Sequence, residues 1–317
     1  MNRARLFAIV SLGACVPFAG CGKRPEAPAK TAGSTAAQVP PATEVAAATR
    51  VRTVEGGALA KADLRQPRSL RVDPSGNLYV VDYAGRQIVV LNAVGTLRNR
   101  WSFGAADVLG VDIGPDGLFY ALDSATMKVT VYSVDGKALR SIDLSARNAA
   151  YNPRGFAVAP DGTFYVADTG GSRLLHIAAD GKPIKVIGGA DPLKFAEPSD
   201  VAVATSGMVA LADGANKRVV LLTAQGDFVR AVGIPGKGGF DGIRLDKAED
   251  GSFLAASVDT VFVIPKDGSA VAVAGQGAGN PHEFEAQAAG VAWDAREKVF
   301  YASDPAARTL KTFKLKS

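Results

Sequence analysis

The scarcity of histidine and cysteine is the first constraint on any chemistry this chain could perform. Its 317 residues include only His176 and His282, and only Cys15 and Cys21. Both cysteines fall near the start, so the body of the chain has no thiol nucleophile and no disulfide. Two histidines cannot assemble a three-histidine metal site. Serines are plentiful, but none stands in a nucleophile-elbow motif and neither histidine has an assigned acid partner. What remains is a set of charged residues at the entrances to short apolar segments: Arg68, Arg154, Asp200 and Asp241. Arginine's planar fork suits carboxylate, phosphate or sulfate groups. Equally, the two arginines could pair with the two carboxylates and simply fill space. The expectation is a ligand-binding set, with no catalytic residue, no metal ligand and no cofactor.

These positions take their meaning from a repeat. Residues 153–189 read as four short strands, at Phe156–Val158, Phe164–Ala167, Leu174–Ile177 and Ile184–Ile187, joined by tight turns. Pro160-Asp161-Gly162 and Ala179-Asp180-Gly181 carry hairpin-turn chemistry, with glycine where the backbone needs positive φ. One such unit cannot bury both of its faces, so copies are expected. The second strand ends in Asp82, Asp123, Asp168, Asp213 and Asp304, with Ser257 filling the gap, a period of about 41–47 residues. The first turn recurs at Gly76, Gly117, Gly162, Gly207 and Gly251, and the second at Gly95, Gly136, Gly181, Gly226 and Gly268. Two glycine series in phase, at this period and with four strands per unit, predict an all-β propeller.

The pattern P-x-G/D-V-A-V, then D-G-x-F/L-Y-V-A-D, then R-V/L and D/Q-G, resembles the NHL repeat of six-bladed propellers. Units three and four carry it best: Pro153, Gly162, Asp168, Arg173 and Gly181, then Pro198, Gly207, Asp213, Arg218 and Gly226. Gln87, Lys128 and Thr309 stand at the arginine position of units one, two and six, and Ser257 makes unit five the least regular. The resemblance implies a six-bladed β-propeller over residues 50–317, in units near 67–104, 107–144, 153–189, 198–233, 240–275 and 288–315. The sixth unit has three strands. Arg50–Gly56 resembles a fourth strand and is expected to pair with Leu310–Lys314, closing the ring by an N-terminal strand that completes the last blade. The repeated Asp, one per blade, is expected to cap loop N–H groups, and the basic residue five positions later to be structural too.

By the same resemblance, the loops entering the innermost strands line the mouth of the central channel. Two residues before each strand core stand Arg68, Leu109, Arg154, Ser199, Asp241 and Ala289, followed by Ser69, Gly110, Gly155, Asp200, Gly242 and Gly290. Tyr151, Phe195 and His282 lie on the same loops and could add stacking contacts. Amidating lyases of this fold use several histidines, and gluconolactonase-like propellers use a Glu, Asn and Asp set. The entry positions here supply neither cage.

The start of the chain has a separate logic. Arg3 and Arg5 precede the apolar stretch Leu6–Ala19, which is too short to span a bilayer and suits a signal peptide. Phe18-Ala19-Gly20-Cys21 resembles a bacterial lipobox, so residues 1–20 are expected to be a lipoprotein signal peptide and Cys21 the lipidated residue. Cys15 is a competing site. Gly22 after Cys21 favours the outer over the inner membrane. Residues 21–49, rich in Ala, Pro and Thr, read as a disordered tether spanning roughly 30–85 Å. The net charge of +5 falls to +3 without Arg3 and Arg5, and no basic block is present, which argues against nucleic-acid binding. The expected protein is a lipid-anchored envelope lipoprotein with a monomeric propeller domain. It would act as a non-catalytic scaffold for a protein, peptide or glycan at the loop face. The alternative is a metal-independent lyase or lactonase-like enzyme working in the channel.

Overall fold

The computed structural model describes residues 64–144, 152–235, 242–248, 251–267, 269–279, 283–285 and 287–315, and the backbone of short strands at 43–44 and 49–54. The expected signal peptide, Cys21 and most of the expected tether lie outside the described residues.

Six four-stranded antiparallel blades form a ring; the first five run from innermost to outermost strand in chain order, and the sixth takes its outermost strand from the N-terminal side of the chain. Blade three shows the pattern: Pro153–Val158, Phe164–Asp168, Arg173–Ile177 and Pro183–Ile187. The innermost strands of the others are Pro67–Val72, Val108–Ile113, Pro198–Val203, Arg244–Lys247 and Gly290–Asp294. The hairpin glycines take the left-handed conformation the turns require, with φ of 81° at Gly162 and 83° at Gly181. Blade five is irregular, as Ser257 foretold. Its second and third strands, Phe253–Ser257 and Thr260–Ile264, leave only Val258 and Asp259 between them, and Val258 is forced to a φ of 55°.

Burial explains why blades come as a set. Six apolar clusters are formed, one at each interface between neighbouring blades. Leu70, Leu78 and Val80 of blade one meet Ala292, Tyr301 and Leu310 of blade six, so the last blade packs on the first. Phe156 and Phe164 of blade three pack on Tyr120, Leu122 and Val129 of blade two. Fully buried aromatics such as Phe164, Phe253 and Phe300 each contribute roughly 1.5–3 kcal/mol. A blade cut from the ring would expose one such cluster on each face.

Close approach near the axis sets a second requirement. A Cβ added at Gly155 would lie 2.4 Å from Cα of Asp200 in the next blade, and one at Gly290 would lie 2.1 Å from the carbonyl oxygen of Arg68. Glycine at these points lets adjacent innermost strands touch backbone to backbone.

The strand Thr49–Val54 runs antiparallel to Thr309–Lys314 on the outer side of blade six. Thr43–Glu44, placed in the tether by composition, runs parallel to Val271 and Ala272 of blade five. That Thr49–Val54 holds the ring shut is a proposal with a direct test. Deleting residues 50–55 is expected to lower the melting temperature of the whole domain, and deleting residues 25–47 to leave it nearly unchanged. Equal melting of the two deletions would remove the closure role. Gly155→Ala is expected to cost about 1–3 kcal/mol in chemical denaturation, because backbone atoms must move; an unchanged midpoint would refute the close-approach argument.

Candidate functional site

Strand register defines which residues of different blades are equivalent around the channel. Asp200 pairs with Ala212, one residue before the strand-ending Asp213. In the same relation stand Ser69 with Val81, Gly110 with Leu122, Gly155 with Ala167 and Gly290 with Ser303. In blade five the equivalent is Arg244, which pairs with Ala256. This corrects the expected position, Gly242 with Asp241 beside it, by two residues. Gly242 mimics the glycine of the P-x-G pattern without occupying its place in the strand. Counting back from the following turn would have found Arg244, which precedes Ala248 by four residues as Asp200 precedes Ala204. Asp241 itself, with Tyr151 and His282, lies outside the described residues.

Two positions further along each strand comes a second tier: Arg71, Asp112, Ala157, Ala202, Asp246 and Ala292. Three blades contribute charge here and three contribute alanine. Arg71 Nε donates to Asp112 Oδ1 at 3.2 Å and lies 3.9 Å from Asp246 Oδ1. The carboxylates also reach into neighbouring blades. Asp112 Oδ2 accepts the N–H of Val158, Asp200 Oδ2 that of Leu245, and Asp246 Oδ2 that of Trp293, at 2.8–2.9 Å. These bonds stitch blade two to three, four to five and five to six.

Burial sets the electrostatics of this belt. Desolvation alone would lower the pKa of Arg71, but Asp246, Asp112 and Asp200 outweigh it and raise the pKa. Burial raises Asp200 against the opposing pull of Arg71 and Arg244. Burial also lifts Asp246 to about 6, with Arg71 and Lys247 pulling the other way.

At the loop-side mouth, the structure brings Arg68, Arg154 and Asp200 around Arg244. Burial lowers the pKa of Arg244; Asp200 opposes this, and the like charges of Arg68, Arg154 and Arg71 add to it. Arg244 Nη1 lies 3.4 Å from the carbonyl oxygen of Ser199. Arg68 is only 7% exposed, with its guanidinium 5.9 Å from the ring centre of Tyr83. Arg154 is partly exposed. Arg68, Arg154 and Arg244 come from blades one, three and five, so alternate blades deliver the cations. Phe195 does not serve this mouth. It is buried in the cluster between blades three and four, because an aromatic side chain gains more there than in water.

The strand-ending carboxylates behave as caps. Asp82 accepts the N–H groups of Arg65 and Gln66 and the Gln87 amide. Asp168 and Asp213 accept Nε of Arg173 and Arg218 at 2.7 Å. In blade six the cation is Lys311, since Thr309 holds the arginine position. His176 stays within blade three, where it stacks on Tyr165 at 4.3 Å and its Nε2 lies 2.9 Å from Thr163 Oγ1.

The opposite end of the channel, on the side of the first hairpin turns, opens into a cavity of about 470 Å³. Its walls come from the residue that ends the channel side of each blade: Val72, Ile113, Val158, Val203, Lys247 and Trp293. Arg71, Asp112 and Asp246 form its floor. The turns at this end are short, so loop length does not mark it in the sequence. The signal lay in the residue before each first turn, which is apolar in five units and lysine in one. Among the described residues, no group of three or more His, Cys, Asp or Glu is arranged to hold a metal ion.

Residues 151–177 match the NHL repeat. No curated protein sequence matches the chain. Solved structures do. Virginiamycin B lyase from Staphylococcus aureus aligns at a TM-score of 0.55 and 15% identity, covering 80% of this chain and 96% of that one. Kuenenia stuttgartiensis hydrazine synthase aligns at 0.56 and 12%, covering 80% and 96%. A gluconolactonase candidate aligns at 0.60 and 14%, covering 87% and 94%. At such identities the likeness carries the fold alone. With these structural neighbours and one matched repeat, the chain is a six-bladed β-propeller that carries an NHL repeat at residues 151–177.

Proposed function

We propose that the protein is an exported lipoprotein, anchored through Cys21, whose propeller binds an acidic group of a protein, peptide or glycan partner without turning it over. The observation that carries this reading is the convergence of Arg68, Arg154 and Arg244 at the loop-side mouth, close enough for Arg68 and Arg154 to depress the pKa of Arg244. Concentrating like charge in a buried setting is costly, and an anionic partner would relieve the cost. Asp200 supplies part of that relief already. A rigid ring presenting variable loops suits recognition, and function in such folds resides in the site rather than the scaffold.

One observation favours an enzyme instead. Asp246, held near 6, faces a cavity and could exchange a proton near neutrality, as a metal-independent lyase or lactonase would require. Against it, Asp246 Oδ2 is taken by the Trp293 N–H and Oδ1 lies near Arg71. We read Asp246 as a structural group.

Crosslinking and pull-down from cells tests the binding reading. Wild type is expected to recover a discrete partner, Arg68→Ala/Arg154→Ala to lose it while still melting cooperatively, and Cys21→Ala to release the protein from membranes. Recovery unchanged by the arginine substitutions would reject the mouth as the site. The role of Asp246 has its own signature. Because its folded pKa lies above its unfolded value of 3.8, the folded state holds the extra proton between those values. Its contribution to stability therefore falls as pH rises from about 4 to about 6 and stays flat above. Asp246→Asn is expected to gain about 3 kcal/mol on wild type across that window, measured as the difference of two denaturation series. A pH-independent difference would contradict this. A lactonase activity that rises through about pH 6 and vanishes in Asp246→Asn would establish the enzyme reading instead.

A further inference from the structure

The cavity on the turn side is built from one residue per blade, and one of the six breaks the pattern. Val72, Ile113, Val158, Val203 and Trp293 are apolar or aromatic, and Lys247 stands among them. The equivalence is set by register: Val72 pairs with Leu78, Val158 with Phe164 and Lys247 with Phe253. Lys247 is thus a cation in a ring of hydrocarbon, with about a third of its side chain exposed.

The neighbouring charges are committed elsewhere. Asp112 accepts Nε of Arg71 and the N–H groups of Ile113 and Val158. Asp246 accepts the N–H of Trp293 and lies near Arg71. Asp73 accepts the N–H groups of Ser75 and Asn77, the Asn77 amide and the Tyr79 hydroxyl. Arg296 donates to the carbonyl oxygen of Ser75. Lys247 differs from all of these. Its Nζ forms a long ion pair with Asp112 Oδ2 at 3.9 Å, beyond hydrogen-bond distance, and among the described residues no hydrogen bond uses its ammonium donors. Three ammonium donors therefore face a roomy, largely apolar space.

The geometry points to a second ligand site here, for a small organic monocarboxylate with an aliphatic body. Lys247 would hold the carboxylate, and the ring of Val72, Ile113, Val158, Val203 and Trp293 would sheathe the chain. The volume of about 470 Å³ falls in the range of small-molecule sites, and apolar walls with few placed polar groups are their usual make-up. The prolines of the first turns, Pro74, Pro115 and Pro160, line the opening without presenting N–H donors and stiffen it in advance. Anionic specificity follows from the head group: a carboxylate gains a charge-assisted bond that an alcohol of equal length does not.

The test uses the full chain, with octanoate and octanol as matched probes. Of the two tryptophans, Trp101 packs at the interface of blades one and two, while Trp293 lines the cavity, so Trp293 emission reports occupancy. Octanoate is expected to change the emission saturably, with octanol about tenfold weaker, and Trp293→Phe to abolish the signal. Lys247→Met is expected to bind the two probes equally, and Lys247→Arg to restore the preference for octanoate. Cooperative melting of Lys247→Met confirms that it is folded. Should Lys247→Met fail to fold, the comparison of the two probes on wild type and Lys247→Arg still decides. Absence of saturable binding, equal binding of octanoate and octanol to wild type, or a preference that survives in Lys247→Met would overturn the assignment.

Discussion

Everything in this molecule depends on each blade having two apolar faces. A single four-stranded sheet of this composition leaves both faces wet, and no helical layer is present among the described residues to cover them. Ring formation is the solution. Six clusters, each shared by two neighbours, remove every such face from water, and the cluster shared by blades six and one leaves no first or last blade in the packing. The cost of this arrangement is steric crowding near the axis. Gly155 and Gly290 meet it by letting backbones touch, and where a side chain does stand at an equivalent position it has work between blades: Ser69 Oγ reaches the carbonyl of Leu109, and Asp200 accepts from Leu245.

The charged belt of the channel follows from the same crowding. Innermost strands of neighbouring blades are not paired in one sheet, so some of their N–H groups take side-chain acceptors. Asp112, Asp200 and Asp246 supply them from the preceding blade, and Arg71 balances two of the three. A buried carboxylate is expensive unless its lone pairs are used, so the belt stabilises the ring only because it is so fully bonded. Asp246 carries the residue of that expense as a raised pKa.

The belt also divides the channel into two unlike ends. On the loop side stand Arg68, Arg154 and Arg244 with Asp200. On the turn side a mostly apolar ring carries the ammonium of Lys247. Arg71 and the carboxylates lie between the two ends and interact with charges of both.

The amino-acid sequence by itself determined the period, the strand order within a blade, the turns and the number of blades. These are local properties: alternation, glycine at positive φ, and aspartate at a strand end are written in adjacent residues, and each of the two residue types recurs in five of the six units. It also settled that Asp82, Asp168 and Asp213 are caps, since one carboxylate per blade cannot converge. Only the tertiary structure decided what happens at the axis, because the residues that meet there lie some forty positions apart and a shift of two residues changes which side chain arrives. Arg244 was hidden in this way behind Gly242, and Phe195 turned from a mouth residue into core once the packing of blades three and four was known. The partnership of Arg71 with Asp112 and Asp246, and the place of Lys247 beside Asp112 in an otherwise apolar ring, depend on distances around a closed circle. No local pattern encodes them, because each blade sees its channel neighbours only after the ring has formed.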